Sequence, residues 1–347
     1  MKKIAILGAG LSGIATCWHL LQGEKIEITL FDPNGIAGGA SGVAPGLLHT
    51  FCGPKAKKPW KADIGFQATC DLLKISSLHL ESDVADFSGI FRPAVSEKQL
   101  ENFKKSHEKY EKLEWWSDKT SSEKISAISP LSGLFIKDGI VVNCRKYLKG
   151  LWLACENLGA RLNKRTILSL DELEEFDSVV IAMGAATKKI KELHSVPFTP
   201  IKGQLLELSW PKNLPPLPVA LNSKAYIVMS SNKQSCIVGS TFERDFIDES
   251  PELVEHLQII RENAEALYPP LKEMKVIGHF AGIRASASKN QNRPLVGRMN
   301  KRCWLITGMG SKGLLYHAWL GNLLSKAILA DNDECIPQEC KRIVPKL

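Results

Sequence analysis

No run in this 347-residue chain approaches the ~20 consecutive apolar residues that a membrane span requires, the longest candidates being broken by Lys, Arg or Glu. A bilayer-crossing helix is therefore not expected. The nine cysteines, at 17, 52, 70, 144, 155, 236, 303, 335 and 340, include no CxxC pair. Neither they nor His49, His79, His107 and the other histidines fall at metal-ligand spacing. A zinc module and a disulfide scaffold are thus excluded, no metal is expected, and the thiols read as reduced and mostly buried. Met1-Lys2-Lys3 is basic like the start of a secretory leader, but the apolar stretch after it is short and runs straight into a glycine turn, which points to a cytoplasmic protein. Acid is in the minority, 37 Asp and Glu against 45 Lys and Arg, and the net charge of +8 favours anionic partners. Lys55, Lys57, Lys58 and Lys61 form the one local concentration of cations, with Trp60 among them. They read either as a nucleic-acid contact with a stacking ring or as a solvated face beside a packed tryptophan.

What is present is concentrated at the start. A short apolar run, Ile4 to Leu7, feeds into Gly8-Ala9-Gly10-Leu11-Ser12-Gly13, and a second, Ile26 to Phe31, ends at Asp32. Strand, glycine turn, helix and acid in that order form a dinucleotide-binding fingerprint. Gly8 permits the tight turn, Gly10 lets a pyrophosphate approach the backbone, and Gly13 lets the helix pack on the strand. The helix N-terminus offers N–H groups and positive dipole to phosphate, and Asp32 can accept from ribose hydroxyls. NAD and FAD proteins share this opening, so the fingerprint alone leaves the dinucleotide open.

Residues 38–46, Gly-Gly-Ala-Ser-Gly-Val-Ala-Pro-Gly, carry almost no side-chain bulk and can lie flat against a ligand. Helical periodicity is expected over 63–80 and over the highly charged 97–116, and a short strand before Asn143 leads into a helix over 144–158 capped by Gly159. Strands are expected over 160–170 and 177–183, the second a buried parallel type that stops at Gly184. Proline-separated strands follow near 204–208, 225–229 and 236–239, which read as a separate antiparallel sheet. Trp304 to Thr307 and Gly308-Met309-Gly310-Ser311-Lys312-Gly313 repeat the strand-then-glycine-turn logic before a last helix over 314–329. The polar tail over 331–347 is expected to pack loosely.

This order of parts resembles the glycine oxidase and D-amino acid oxidase superfamily of FAD enzymes over roughly residues 1–330. Within it the chain is most similar to the oxidase half of the bifunctional enzymes that process carboxymethylaminomethyl-uridine at the tRNA wobble position, here expected to stand alone. The likeness rests on Gly39-Ala40-Ser41-Gly42, Ile201-Lys202-Gly203-Gln204, Gly239 to Arg244, and the turn from Gly308 to Gly313, where Lys312 replaces the family's usual arginine.

The resemblance implies an α/β fold: a Rossmann-like FAD-binding domain (1–85, 138–200 and 280–330) interwoven with an α+β substrate domain (86–137 and 201–279) built on an antiparallel sheet. It implies FAD, held without a covalent bond, since His49 and Cys52 read as packing or pocket residues. Implied FAD contacts are Gly8, Gly10, Leu11, Ser12, Gly13, Asp32, Pro33, Ala40, Ser41, Gly42, Ile167, Ala182, Gly184, Gly308, Gly310, Ser311, Lys312, Gly313 and Leu314. Arg284 matches the arginine that pairs with a substrate carboxylate. Lys312 reads either as a charge beside the flavin pyrimidine or as a surface cation. The family's acidic residue ahead of Pro294 is missing from 286–292. The implied reaction is oxidation of an amine C–N bond in glycine, an N-substituted glycine or a D-amino acid. A wobble-uridine side chain on tRNA, itself an N-substituted glycine, is the alternative substrate, and a non-catalytic FAD-binding protein is a third reading.

Overall fold

The computed structural model describes residues 1–23, 25–251, 255–287, 293–341 and 344–345. A six-stranded sheet runs in the spatial order Leu295–Arg298, Cys303–Thr307, Ser178–Ile181, Lys2–Leu7, Ile26–Phe31, Arg161–Asn163. Every pairing is parallel except that between the first two. Ile4, Ala5 and Ile6 on the central strand are fully buried, because a parallel strand covered on both faces needs a continuous apolar run rather than an alternating one. The helices Leu11–Leu21, Ala62–Ser77, Cys144–Asn157 and Gly313–Leu329 share one core on one side of this sheet.

The second sheet has eight strands: Val276–Ala287, Phe198–Ser209, Ser235–Gly239, Tyr226–Met229, Ala220–Asn222, Ile90–Pro93, Gly133–Ile136, Leu113–Trp116. It is antiparallel apart from the Ala220–Asn222 and Ile90–Pro93 pair. The strands of the two sheets thus interleave in sequence. The mixture of a parallel and an antiparallel sheet is the expected α/β architecture.

Three local expectations are corrected. The helix expected over 97–116 stops early, as Glu97–Lys109, and Leu113–Trp116 is a strand. Trp116 lies stacked between Phe91 at 5.0 Å and Phe135 at 4.4 Å, and burying that ring in the sheet overrides the charged helical pattern before it. Of the strand expected over 160–170, only Arg161–Asn163 pairs, and Leu170–Leu173 turns as a 3-10 helix under a Ser169–Glu172 capping box. Among the described residues of the tail, Ile336, Cys340 and Val344 recur at four-residue spacing and are all buried, so that part is packed rather than loose. Among the described residues no helix is long and apolar enough to cross a membrane.

A buried polar pair fixes the last helix. His317 Nδ1 lies 3.1 Å from the carbonyl oxygens of Gly313 and Leu314, so it carries the proton, and Nε2 accepts from the Tyr147 hydroxyl at 2.7 Å. Burial holds this imidazole down to about 4, and burial with the Arg92 charge holds His49 down to about 3. Both rings are neutral in the native state. Once unfolded they bind protons near pH 6.5, so the unfolded state takes up more protons below that pH and stability falls on acidification. Two such groups give a slope on the order of 2–3 kcal/mol per pH unit near pH 5. Denaturant melts at pH 7.5 and 5 are expected to show this loss, and a His317→Gln variant to flatten it; a pH-independent midpoint would contradict the assignment.

Candidate functional site

A cavity of about 1470 Å³ opens at the carboxyl ends of the parallel strands, beneath one face of the antiparallel sheet. This is where open α/β sheets place ligands, and its size exceeds the ~300–1,000 Å³ of an ordinary small-molecule site. The first strand ends at Leu7 and turns at Gly8, whose φ of +104° is costly for any other residue. Gly10 is the N-cap of the helix Leu11–Leu21, with no side-chain cap of its own and no acid in the first turn, so the positive end of the helix faces the cavity. Ser41 reaches across from the small-residue loop, its Oγ accepting from the Leu11 N–H at 3.2 Å.

Gly8, Gly10, Leu11 and Ser12 line the cavity. Gly13 stands behind it, where an added Cβ would lie 1.9 Å from the Gly8 carbonyl, so its role is helix-on-strand packing. Asp32 and Pro33 are on the wall. Asp32 Oδ2 accepts from the Ala9 N–H and Oδ1 from the Asn34 N–H, both at 2.9 Å, and each oxygen retains a lone pair for a ligand hydroxyl. Ala40 and Ser41 line the cavity, whereas Gly42 does not: a Cβ there would meet the Ala37 carbonyl at 2.0 Å. Ile167, Ala182 and Gly184 close the side beside the neighbouring strand.

Gly308, Gly310, Ser311, Gly313 and Leu314 line the opposite wall. Lys312 does not. Its N–H is donated back to the Met309 carbonyl at 3.0 Å, and its side chain is half-buried. Its charge nonetheless lies close enough to Cys52, on the cavity wall, to oppose the upward push that burial gives that thiol. The wall glycines, the uncapped helix and an acid with spare acceptors fit a dinucleotide.

Arg284 also faces this cavity. It projects from the strand Val276–Ala287, and its Nη2 donates to Ser240 Oγ at 3.1 Å and to the Thr241 carbonyl at 3.0 Å. Burial lowers its pKa, with Tyr226 and Glu243 acting in the other direction. Ala287 N–H donates to the Gly308 carbonyl at 3.0 Å, tying the arginine strand to the last glycine turn. Five residues on this wall were not legible as a site. Tyr226 is held protonated, its phenol pushed up to about 12 by burial while Ser240 and the Arg284 charge pull down. Gly203 and Ser240 fix the arginine. Asn222 and the buried Arg92 complete the row. His49 Nδ1 accepts from the Phe51 N–H at 3.2 Å, so the proton of the neutral ring is on Nε2.

The basic cluster is partly committed inward. Lys58 pairs with Asp63 at 2.7 Å and lies over the Phe51 and Tyr110 rings. Trp60 is not an open stacking platform: it packs against Trp319 at 5.2 Å and Tyr316 at 6.1 Å, with the Arg293 guanidinium over it. Lys55 reaches the mouth of the cavity, together with Lys98 and Lys224. The segment ahead of Pro294 that lacks the family's acid lies, from 288 to 292, outside the described residues.

In known proteins the same frame recurs. Glycine oxidase from Geobacillus kaustophilus superposes with a TM-score of 0.81 over 98% of both chains at 18% identity. Iminodiacetate oxidase from Chelativorans sp. BNC1 gives 0.79 over 99% of both at 18% identity. These likenesses show the fold. Among curated sequences the chain is 24% identical over 346 residues to the bifunctional protein ThiO/ThiG of Trichormus variabilis, covering 90% of this chain and 50% of that protein. It is 25% identical over 345 residues to the tRNA 5-methylaminomethyl-2-thiouridine biosynthesis bifunctional protein MnmC of Maricaulis maris, covering 94% and 52%. The chain thus spans about half the length of the curated relatives it matches. A family model described as FAD dependent oxidoreductase, DAO, matches residues 3–327, and with nearly the whole chain inside that match the protein belongs to the DAO family of FAD-dependent oxidoreductases.

Proposed function

We propose that the chain oxidises the C–N bond of an amino-acid-like amine, glycine, an N-substituted glycine or a D-amino acid, to an imine that water hydrolyses. The observation that carries this reading is the half-buried Arg284, on the wall of the same cavity as the dinucleotide-binding turn and braced by Ser240 and Thr241. A guanidinium has five N–H donors, so the brace leaves others for a carboxylate. The Tyr226 phenol, protonated at neutral pH, adds a donor beside it. On this reading the first sheet and its helices form the FAD-binding domain and the second sheet the substrate domain. The turn from Gly8 to Gly10 takes the pyrophosphate, Asp32 the ribose, Ile167, Ala182 and Gly184 the adenosine side, and Gly308, Gly310, Ser311, Gly313 and Leu314 the flavin side.

FAD, when bound, supplies the two-electron acceptor that the reaction needs. The protein's part is positioning: Arg284 and Tyr226 hold the carboxylate, which fixes the neighbouring carbon, and the buried wall excludes bulk water. His49, neutral on that wall, adds no positive charge against an approaching amine. The nine cysteines, all free thiols, agree with a cytoplasmic setting. A second reading takes the amine from tRNA; it is favoured by the MnmC relatives and by Lys55, Lys98 and Lys224 at the cavity mouth.

Anaerobic bleaching of the flavin absorbance tests both. Glycine, sarcosine and D-amino acids are expected to bleach it within a stopped-flow or bench-top time course. Bleaching by tRNA carrying carboxymethylaminomethyl-uridine and by no free amino acid would replace the first reading with the second. An FAD-loaded protein that no amine bleaches would overturn both.

A further inference from the structure

A buried polar cluster stands behind the arginine, outside the cavity. Successive residues of a strand point to opposite faces, so Gly203 lines the cavity while its neighbour Gln204 turns away from it. Gln204 is 1% exposed. Its Nε2 lies 3.0 Å from Glu243 Oε1, and its Oε1 lies 3.1 Å from His279 Nε2. A carboxylate can only accept, so the amide donates to Glu243 and accepts the His279 Nε2–H on its oxygen. His279 belongs to Val276–Ala287, the strand that carries Arg284.

The same residue grips the segment that braces Arg284. The Gln204 N–H donates to Thr241 Oγ1 at 2.8 Å, and the Gln204 carbonyl accepts from the Thr241 N–H at 3.1 Å. Just beyond, Lys202 and Glu243 exchange two N–H···O bonds at 2.9 Å. The strand Ser235–Gly239 has already ended, so these bonds and the amide on Glu243 fasten residues 240–243 to the long strand Phe198–Ser209. Ser240 Oγ and the Thr241 carbonyl, the two oxygens that receive Arg284 Nη2, both lie in that fastened segment. A small shift of the segment therefore moves both at once, and a guanidinium–carboxylate pair is directional. A glutamine amide sets a donor and an acceptor side by side, which lets one side chain tie the brace to the strand of the group it braces.

We propose that Gln204 is a positioning residue for the carboxylate site: by joining Glu243 to His279 from the reverse face of the sheet, it sets where Ser240 and Thr241 hold the Arg284 guanidinium. The proposal rests on the amine reading above, in which Arg284 pairs with the substrate carboxylate. Gln204 itself does not line the cavity, so its effect reaches a ligand only through the arginine.

The test measures sarcosine kinetics and, by calorimetry, binding of the non-oxidisable (methylthio)acetate to the FAD-loaded protein. Gln204→Met keeps the length and loses both side-chain bonds; it is expected to weaken (methylthio)acetate about tenfold and to raise the KM for sarcosine as much, with kcat within about twofold of wild type. In an Arg284→Ala background the same change is expected to leave kcat/KM where Arg284→Ala alone puts it, because its action runs through that guanidinium. Gln204→Glu keeps the His279 bond but sets carboxylate against carboxylate at Glu243, and is expected to lose about tenfold in affinity as well. Combining it with Glu243→Gln returns a donor to that contact and is expected to recover affinity to within about threefold of wild type. This exchange carries the test where Gln204→Met does not fold. Wild-type affinity in Gln204→Met overturns the proposal, as does a loss that persists in the Arg284→Ala background or that the exchange fails to recover. If no amine is oxidised while (methylthio)acetate still binds, the amine reading falls and the affinities decide the role of Gln204 separately. A wild type that binds no (methylthio)acetate overturns both, since there is then no carboxylate site to position.

Discussion

Gly203→Ala is expected to lower kcat/KM for sarcosine about 10²–10³-fold, chiefly by raising KM, in a protein that still folds and carries FAD. The reason is a close approach rather than a backbone angle. Gly203 pairs with Gly282 on the two long strands, and the Arg284 side chain folds back across that pair. A Cβ at 203 would lie 1.8 Å from Arg284 Nη2 and 2.7 Å from its Cζ. The side chain can move where a backbone could not, so the strand survives and the guanidinium leaves its brace on Ser240 and Thr241. What is lost is the pair of charge-assisted bonds to the carboxylate, each worth about 1.5–3 kcal/mol. Arg284→Ala is expected to reach the same level. The two changes are also expected to be non-additive, the double variant being no worse than Arg284→Ala alone, since both remove one interaction. A Gly203→Ala protein with sarcosine kinetics within threefold of wild type would show that Arg284 does not hold the substrate, and one that loses FAD would place the role of Gly203 elsewhere.

The contrast between this position and the phosphate loop shows what a sequence makes legible. Gly8, Gly10, Gly13 and Asp32 belong to one short β-α-β unit whose parts are close in the chain, so spacing alone brings them together. Gly203, Tyr226 and Arg284 come from separate strands and Ser240 follows the end of a fourth, and only the registers Gly203 with Gly282 and Tyr226 with Gly239 set them around one guanidinium. A glycine in a strand carries no outward sign of the side chain that needs its space. Trp116 failed for a related reason: its helical, charged approach is local, while its stacking partners Phe91 and Phe135 lie in other strands. Trp60 and Lys58, in a basic run that left a nucleic-acid contact and a solvated face beside a packed ring both open, are turned inward by aromatic neighbours from residues 51, 110, 316 and 319. Lys312 occupies the expected turn, yet the turn spends its N–H internally on Met309, and the residue itself does not line the cavity although its charge is felt at Cys52, which does.

Asp32→Ala is expected to cost more than a ribose contact, and to leave the protein colourless on purification. Asp32 is a strut as well as a ligand. Its Oδ2 is 2.9 Å from the N–H of Ala9, a fully buried residue between Gly8 and Gly10, and its Oδ1 is 2.9 Å from the N–H of Asn34. Removing the carboxylate leaves the Ala9 donor buried and unpaired, at about 1–3 kcal/mol, and removes charge-assisted acceptors for the cofactor hydroxyls worth about 1.5–3 kcal/mol each. Both losses fall on the same loop, so FAD affinity is expected to drop about 10³-fold or more. Linkage supplies an independent check: FAD at a hundredfold its wild-type Kd stabilises the native state by about 2.7 kcal/mol, and the variant at the same concentration gains almost nothing. Asp32→Asn keeps the shape but sets an amide NH₂ against one of the two backbone donors, so it is expected to fall between wild type and alanine. Titration of the apoproteins with FAD, followed by calorimetry and by the shift in Tm, separates these cases. If Asp32→Ala remains yellow and keeps the full FAD-dependent shift in Tm, the fingerprint's acid neither braces the loop nor binds the cofactor, and the dinucleotide is held by the uncapped helix and the glycine turns alone.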